Sequence, residues 1–389
     1  MKYDEIILRL KNLYERNPLA KDIVKVINKL SIALKSRYEA IKIMGFCGTH
    51  EWTITHYGLR SLMPTVIDLI PGPGCPVCIT PALYVDQLVK ISLEKIHVLT
   101  YGDAYKLRGS ANASVKSLEE AKSMGGKVTI VYSFLDAIKI AKSNPYEKFI
   151  FFGIGFETTM PSIASHIMAK TIPPNLTILP AYRLTPPIVK YLVENVPDID
   201  IHGIIAPGHV SSIIGSDAWN FIPKNYKIPT VVAGFEPLDV LLAILEILKQ
   251  LTESKSYLVN EYVRVVKPQG NIQAKKAITE VYEIVDAIWR GIGRVPMSGA
   301  IFKEKYKEFD ACYVYGLKHP ITEGSSEMPG CICREIVLGK AKPDQCPLFM
   351  KICKPQTPYG PCMVSIEGTC RIWAEHGGIF RIDLGTSLE

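Results

Sequence analysis

The stretch Ala40-Ile41-Lys42-Ile43-Met44-Gly45-Phe46-Cys47-Gly48-Thr49-His50-Glu51 decides how the rest of the chain is read. Its first half, Ile41 to Met44, is half alternating and half continuous apolar, as a short strand is. The segment from Trp52 through Leu62 reads as a helix. A thiol, an imidazole and a carboxylate (Cys47, His50 and Glu51) therefore sit where a strand ends and a helix begins. In open parallel α/β sheets, ligands bind at such strand ends. A helix N-terminus at this point is expected to lower the pKa of Cys47 and favour its thiolate. The competing reading makes Cys47 a small buried apolar residue, with His50 and Glu51 as helix caps. The rest of the chain weighs against it.

Working outward, strand-like and helix-like runs alternate from Ile41 to about Asn144. Val66 to Ile70 runs into Pro71-Gly72-Pro73-Gly74-Cys75-Pro76-Val77-Cys78, His97 to Tyr101 ends at Gly102-Asp103, and Val128 to Tyr132 follows Gly125-Gly126. In a second series, Phe149 to Phe152 leads into Gly153-Ile154-Gly155-Phe156-Glu157-Thr158-Thr159, and Leu176 to Leu179 ends at Pro180-Ala181-Tyr182-Arg183. Gly203 to Ala206 then ends at Pro207-Gly208-His209, and Thr230 to Ala233 at Gly234-Phe235-Glu236-Pro237. Strands separated by helices of this length predict parallel sheets covered on both faces. The series resemble each other, since Gly-Phe-Cys-Gly-Thr-His-Glu lines up with Gly-Ile-Gly-Phe-Glu-Thr-Thr, and Ile-Pro-Gly-Pro-Gly-Cys with Ala-Pro-Gly-His. The expected fold class is therefore α/β, with two similar parallel-sheet units, residues 41–145 and 146–251, facing a cleft. Glu157, Thr158, Thr159 and His209 are candidates to line that cleft opposite Cys47. Threonine at such a junction also serves as an N-cap, and His209 also fits a satisfied loop histidine.

Ahead of this core, Ile6, Ile7, Leu10, Leu13 and Tyr14 recur at helical spacing, and Asn17-Pro18 opens a second helix, roughly Leu19 to Ser36. Residues 1–40 are thus an N-terminal helical layer. After Leu251 the character changes. A helix is predicted from Ile272 to Arg290, with Ala274, Ile278, Val281, Tyr282, Val285 and Trp289 on one side. Seven of the ten cysteines lie from Cys312 onward, so residues 252–389 read as a cysteine-rich C-terminal domain.

Composition narrows the classes. A chain of 389 residues exceeds the roughly 250 to 300 at which single cores stop growing, so two or three domains are expected. Apolar residues make up 48% and charged ones 21%, as in ordinary folded chains. The balance of 45 basic and 38 acidic residues gives +7, without a dense basic run, and nucleic acid is not called for. The longest apolar region, Val231 to Leu251, is interrupted by Glu236, Asp239 and Glu246, which argues against a membrane span. The charged start Met1-Lys2-Tyr3-Asp4-Glu5 does not read as a signal peptide. A cytoplasmic location is therefore expected, and there cysteines serve more often as metal ligands or redox thiols than as a disulfide framework.

Two cysteine groups carry the chemistry. Cys75-Pro76-Val77-Cys78 has the C-x-x-C spacing of dithiol redox pairs and of metal sites. Three prolines stiffen its loop, while Gly72 and Gly74 allow close backbone approach. If Cys75 and Cys78 meet Cys47 across neighbouring strand ends, three soft donors converge near His50, which suits iron or a reversible disulfide. The second group is Cys331, Cys333, Cys346, Cys353, Cys362 and Cys370, six thiols within forty residues of loop-rich sequence. Four thiolates there would hold an iron–sulfur cluster, with structural zinc as the competing reading. Cys312, in the apolar run Cys312-Tyr313-Val314-Tyr315, reads as core.

Together, Cys47-Gly-Thr-His-Glu, Gly72-Pro-Gly-Cys-Pro-Val-Cys78, Gly155-Phe-Glu-Thr-Thr159 and the C-terminal cysteines resemble the HypD family of [NiFe]-hydrogenase maturation factors, in order and over nearly the whole chain. The resemblance implies a [4Fe–4S] cluster held by a C-x12-C-x6-C-x16-C pattern, whose gaps Cys333, Cys346, Cys353 and Cys370 reproduce. It leaves Cys331 and Cys362 as candidates for a redox pair beside the cluster. It further implies a scaffold on which an Fe(II) carrying CN and CO ligands is assembled before transfer to the hydrogenase large subunit. The implied partners are a HypC-like chaperone, which adds a thiolate to the iron, and a HypE-like cyanide donor. On this reading Cys47 is the iron ligand, His50 and Glu51 orient the site, and Cys75 and Cys78 supply thiolates or cycle between dithiol and disulfide. A stand-alone thiol–disulfide oxidoreductase with an iron–sulfur relay is the alternative, and a zinc-stabilised interaction protein is a third.

Overall fold

The computed structural model describes residues 18–322 and 328–377. The expected first helix around Ile6 to Tyr14 lies outside the described residues. In chain order the strands are β1 (Ile41–Gly45), β2 (Ile67–Pro71), β3 (His97–Thr100), β4 (Val128–Ile130), β5 (Phe149–Gly155), β6 (Leu176–Arg183), β7 (Gly203–Pro207), β8 (Thr230–Ala233), β9 (Leu258–Asn260), β10 (Tyr282–Trp289) and β11 (Gly293–Phe302). They form a five-stranded sheet in the order β2-β1-β7-β8-β9 and a six-stranded sheet in the order β10-β11-β6-β5-β3-β4. The first sheet is parallel throughout. The second is parallel from β6 to β4 and antiparallel at β10 and β11.

Two parallel-sheet units exist, as expected, but the boundary at residues 145/146 does not separate them. The first sheet takes β1 and β2 from one side of it and β7, β8 and β9 from the other. The Ile-Pro-Gly-Pro-Gly-Cys and Ala-Pro-Gly-His loops, expected to face each other from different units, follow two strands of the same sheet. Nor does a separate unit begin at residue 252, because β9 completes the first sheet and β10 and β11 complete the second. Strand-by-strand sequence patterns are local, whereas sheet membership is decided by crossovers.

The side-chain alternation of β5 shows how the second sheet is covered. Phe149 and Phe151 face a cluster with the helices Phe134–Ser143, Met160–Met168 and Ile272–Val281. Ile150, Phe152 and Ile154 face the helix Ala82–Leu93 and the C-terminal cysteines. On the first sheet, Ile41 and Ile43 pack with Ile27 and Leu34 of the helix Leu19–Leu34 and with Ile244, Ile247 and Leu248 of the helix Pro237–Thr252. Each such buried aliphatic side chain contributes about 1.5–3 kcal/mol. Met44 and Phe46, on the opposite face, join Phe156, Trp289 and Val295, which come from the second sheet and its following loop, so the sheets meet there.

The helix expected over Ile272 to Arg290 ends at Val281, and Tyr282–Trp289 is a strand. Tyr282, Val285 and Trp289 fit a helical stripe in the sequence. Pairing with β11 along Tyr282↔Phe302, Ile284↔Ala300 and Ala287↔Val295 satisfies their backbone instead.

Candidate thiol and metal centre

In each sheet the crossovers reverse direction at one place. In the first, β1 leads outward to β2 on one side while β7 sits on the other, and in the second β3 lies between β4 and β5. The C-terminal ends at such a reversal form the crevice where α/β sheets take ligands. Cys47 stands at the first, immediately after β1.

Its loop is fastened from both sides. The Phe46 amide donates to Ile205 of β7 (3.2 Å), and Gly72 after β2 donates to Gly45 (2.8 Å). Glycine is required where these loops touch. A Cβ on Gly74 would stand 2.5 Å from the Cys47 amide nitrogen, and one on Gly48 would stand 2.5 Å from the Glu367 carbonyl. The result is a crevice of about 10 Å³ lined by Cys47, Gly48, Glu51, Cys75, Cys362 and Glu367, among others. That is room for roughly one water.

Cys47 is the N-cap of the helix Gly48–His56, which begins four residues earlier than the sequence suggested. The expected depression of its pKa is overturned. Burial, followed by the charge of Glu367, pushes the thiol up to about 11, against the smaller pull of the Thr49 and His50 amides. The helix terminus acts in the expected direction, but desolvating the thiolate outweighs it.

Sequence reasoning missed Glu367. Its carboxyl, largely buried and facing Asp103, is pushed up to about 7. Asp103 follows β3, at the reversal of the second sheet, and accepts from Ser365 Oγ (2.7 Å) and the Ile366 amide (3.3 Å). It therefore fixes the strip that carries Glu367 to Cys47. Only the strand-end position of Asp103 hinted at this in the sequence.

His50 is fully buried. Its Nε2 meets the carbonyls of Gly234 (2.8 Å) and Ala233 (3.3 Å), so Nε2 carries the proton. Burial lowers its pKa to about 4, and Nδ1 keeps a lone pair without a partner in the structure. Phe235 stacks on both His50 (4.8 Å) and His209 (3.9 Å), which joins the ends of β1, β7 and β8. Neither histidine is among the residues lining the Cys47 crevice. Glu51 does line it, yet its carboxylate is engaged. Trp373 Nε1 donates to Oε1 (2.7 Å), Thr55 Oγ1 donates to the same oxygen (3.1 Å), and Arg60 holds Oε2 (2.6 Å).

The Gly-Phe-Glu-Thr-Thr residues go elsewhere. Glu157 is buried and accepts from the Thr185 amide (2.7 Å) and hydroxyl (3.1 Å), capping the helix Thr185–Asn195. Burial raises its pKa to about 7. Thr158 is exposed, and Thr159 donates to the Phe156 carbonyl (3.0 Å) as the N-cap of the next helix. None of the three lines the Cys47 crevice.

Cys75 and Cys78 form a disulfide, so in this state neither offers a thiolate to a metal. The pair bridges two cavities. Cys75 borders the Cys47 crevice, and Cys78 borders a larger cavity of about 470 Å³ that Cys331, Cys333, Arg290 and Pro361 also line. Behind it lie the C-terminal cysteines, in the same apolar cluster as the disulfide. Cys333 is in hydrogen-bonding contact with Cys331 and Cys362, and Cys362 with Cys370. The implied Cys331–Cys362 pair is not bonded here, since both are free and Cys333 contacts each of them. Cys353 Sγ accepts from the Tyr359 and Gly360 amides, each at 3.4 Å. Burial raises the pKa of Cys353 and helps raise those of Cys331, Cys333 and Cys362, so their thiolates need a cation beside them.

Sulfur thus gathers where an α/β sheet takes its ligands, and such a donor set is chemically suited to a soft metal or to disulfide exchange. Residues 19–377 match the sequence profile of HypD, described as the hydrogenase formation hypA family. A putative hydrogenase expression/formation protein of Methanocaldococcus jannaschii is 42% identical over 369 residues, covering 94% of this chain and 99% of that protein. Hydrogenase maturation factor HypD of Escherichia coli K12 is 40% identical over 341 residues, 86% of this chain and 89% of that one. HypD of Rhizobium leguminosarum is 37% identical over 372 residues, 93% and 94% of the two chains. The chain belongs to the HypD family of hydrogenase maturation factors. Among the described residues, no helix is long and apolar enough to cross a membrane.

Proposed function

We propose that the chain is a scaffold that holds one iron ion on the Cys47 thiolate while cyanide and carbon monoxide are installed, in complex with a HypC-like chaperone. The observation that carries this reading is the position of Cys47, at the reversal of a parallel sheet, with Cys75 and Glu367 on one crevice. Cyanide and CO favour low-spin Fe(II), for which a thiolate is a suitable soft ligand. Iron binding must displace a thiol proton held by burial, and Glu367, poised near neutrality, is placed to accept it. At about 10 Å³ the crevice does not admit iron with diatomic ligands, so the Ser365–Gly368 strip must part from Gly48 as cargo enters. A HypE-like cyanide donor would act at that opening, and the hydrogenase large subunit would receive the product.

Cys333, Cys346, Cys353 and Cys370 would hold a [4Fe–4S] cluster. All four are buried in one apolar cluster, and the two amides aimed at Cys353 Sγ are the kind of donor that steadies a ligating thiolate. Bound there, the cluster would supply single electrons. Cys331 and Cys362 would serve as the adjoining redox pair.

Infrared spectroscopy of the complex with a HypC-like partner tests the scaffold. Cys47→Ala should abolish the cyanide and CO stretches. Bands at full strength would refute the ligand assignment. The disulfide between the two cavities favours one second reading, a stand-alone thiol–disulfide oxidoreductase. That reading requires turnover of a disulfide substrate without any partner, lost in Cys78→Ser.

A further inference from the structure

A second group of ligand-type side chains lies beside the helix Ala82–Leu93, whose Tyr84 and Gln87 hold the segment that carries part of it. Among the described residues, Asp310, Cys312 and His319 are the only three His, Cys, Asp or Glu side chains whose ligand atoms lie within 4.8 Å of one another. We propose that they bind a divalent cation of the zinc class, at a site separate from the Cys47 crevice and from the six C-terminal cysteines.

The backbone holds the three in place without a metal. Asp310 caps the helix Ala311–Tyr315, its Oδ1 accepting from the Cys312 amide (2.8 Å), and a bridge to Ile178 ties it to β6. Gly316, at φ 67°, ends that helix and turns the chain back. The side-chain amide of Gln87 then clamps Lys318 on both sides, donating to its carbonyl (2.9 Å) and accepting from its nitrogen (2.7 Å). His319, the next residue, is steadied by the Tyr84 hydroxyl at 3.0 Å from Nδ1. A polar group fastening a ligating imidazole is a recurring feature of metal sites.

The donor set suits zinc. One sulfur, one nitrogen and one carboxylate oxygen are ordinary zinc ligands, and three protein ligands leave a fourth position for water. Burial, then the nearby Arg183 charge, lowers the His319 pKa to about 4, so the imidazole is in its neutral, ligating form. Burial and Asp310 hold the Cys312 thiol protonated, and binding releases that proton to solvent. Asp310 and the Cys312 thiolate then balance the charge of the ion. Arg183 opposes a cation here, and the two anionic ligands offset it. The bound ion would staple the segment after β11 to β6 and the helix Ala82–Leu93, ahead of the first C-terminal cysteines.

The test uses the full chain, prepared anaerobically with its iron restored, then dialysed against micromolar zinc and against buffer. Metal analysis is compared with Cys312→Ala and His319→Gln, and the thiolate-to-metal charge-transfer band is recorded after loading with Co2+. The proposal expects about one equivalent of zinc per chain in the parent. It expects that equivalent and the cobalt band to disappear in both variants, with iron content unchanged. Equal zinc in parent and variants would place the metal elsewhere and overturn the proposal. So would a parent that retains none. If Cys312→Ala fails to fold by circular dichroism, His319→Gln gives the same reading.

Discussion

The Cys47 crevice and the C-terminal cysteine pocket both gather thiols, but different physics holds them. Around Cys47, hydrogen bonds among β1, β2 and β7 set the backbone, and glycines let the loops touch. Around Cys333 to Cys370 there are only short helices and turns, with the cysteines buried together in one apolar cluster. A ligand site made by sheet topology exists before its ligand arrives. One made by loops depends on whatever cross-links it.

The largest expected effect breaks the second region and spares the first. Replacing Cys353 with Ala should remove the cross-linking group, and hydrogen-exchange protection across residues 333–370 should fall to near zero opening energy while β1 and β5 stay protected. Uniform loss or uniform retention would erase the distinction between the regions. Next, Gly74→Ala strikes the first region, since its Cβ would stand 2.5 Å from the Cys47 nitrogen. Thermal unfolding should register about 1–3 kcal/mol of destabilisation. Gly102→Ala, whose Cβ would meet nothing nearer than 3.8 Å, serves as the milder control.

Two smaller effects sharpen the comparison. Trp373→Phe removes the bond to Glu51 that joins the regions, and should cost about 1–2 kcal/mol in denaturant unfolding. Arg60 and Thr55 still satisfy the carboxylate. Glu157→Gln concerns pH. The folded pKa of Glu157 is raised from 4.5 to about 7, so the folded state holds an extra proton between those values, and stability falls as pH rises through that window. The glutamine keeps an acceptor for Thr185 and does not ionise. Urea midpoints at pH 5 and pH 8 should therefore differ less in the variant than in the parent. An equal difference would show that Glu157 does not carry the titration. Glu367 shifts in the same direction, so part of the dependence should remain.

Much of the fold was legible where information is local. The cores of β1 to β8 were marked by apolar runs ending in, or for β4 preceded by, glycine or proline, and the loops after β1 and β2 announced their thiols. Sheet membership was not legible, because nothing in β7 itself says that it pairs with β1 rather than with β6. The strand Tyr282–Trp289 was hidden because its large residues satisfy a 3.6 period almost as well as a period of two. In the candidate site, the motif residues were found but their roles separated. Glu157 is a helix cap, Glu51 is an anchor, and the group closest in effect to Cys47 is Glu367, more than 300 positions away. The helix-terminus argument for Cys47 failed because burial cannot be read from the motif.

The central claim is that a single iron sits on Cys47 apart from the irons of the C-terminal pocket. Mössbauer spectroscopy of the 57Fe-loaded chain with its HypC-like partner tests it most directly, comparing the parent with Cys47→Ala. The account predicts that the variant loses the low-spin Fe(II) doublet and keeps the iron–sulfur signal undiminished. A variant that keeps the doublet, or loses both signals together, would contradict it.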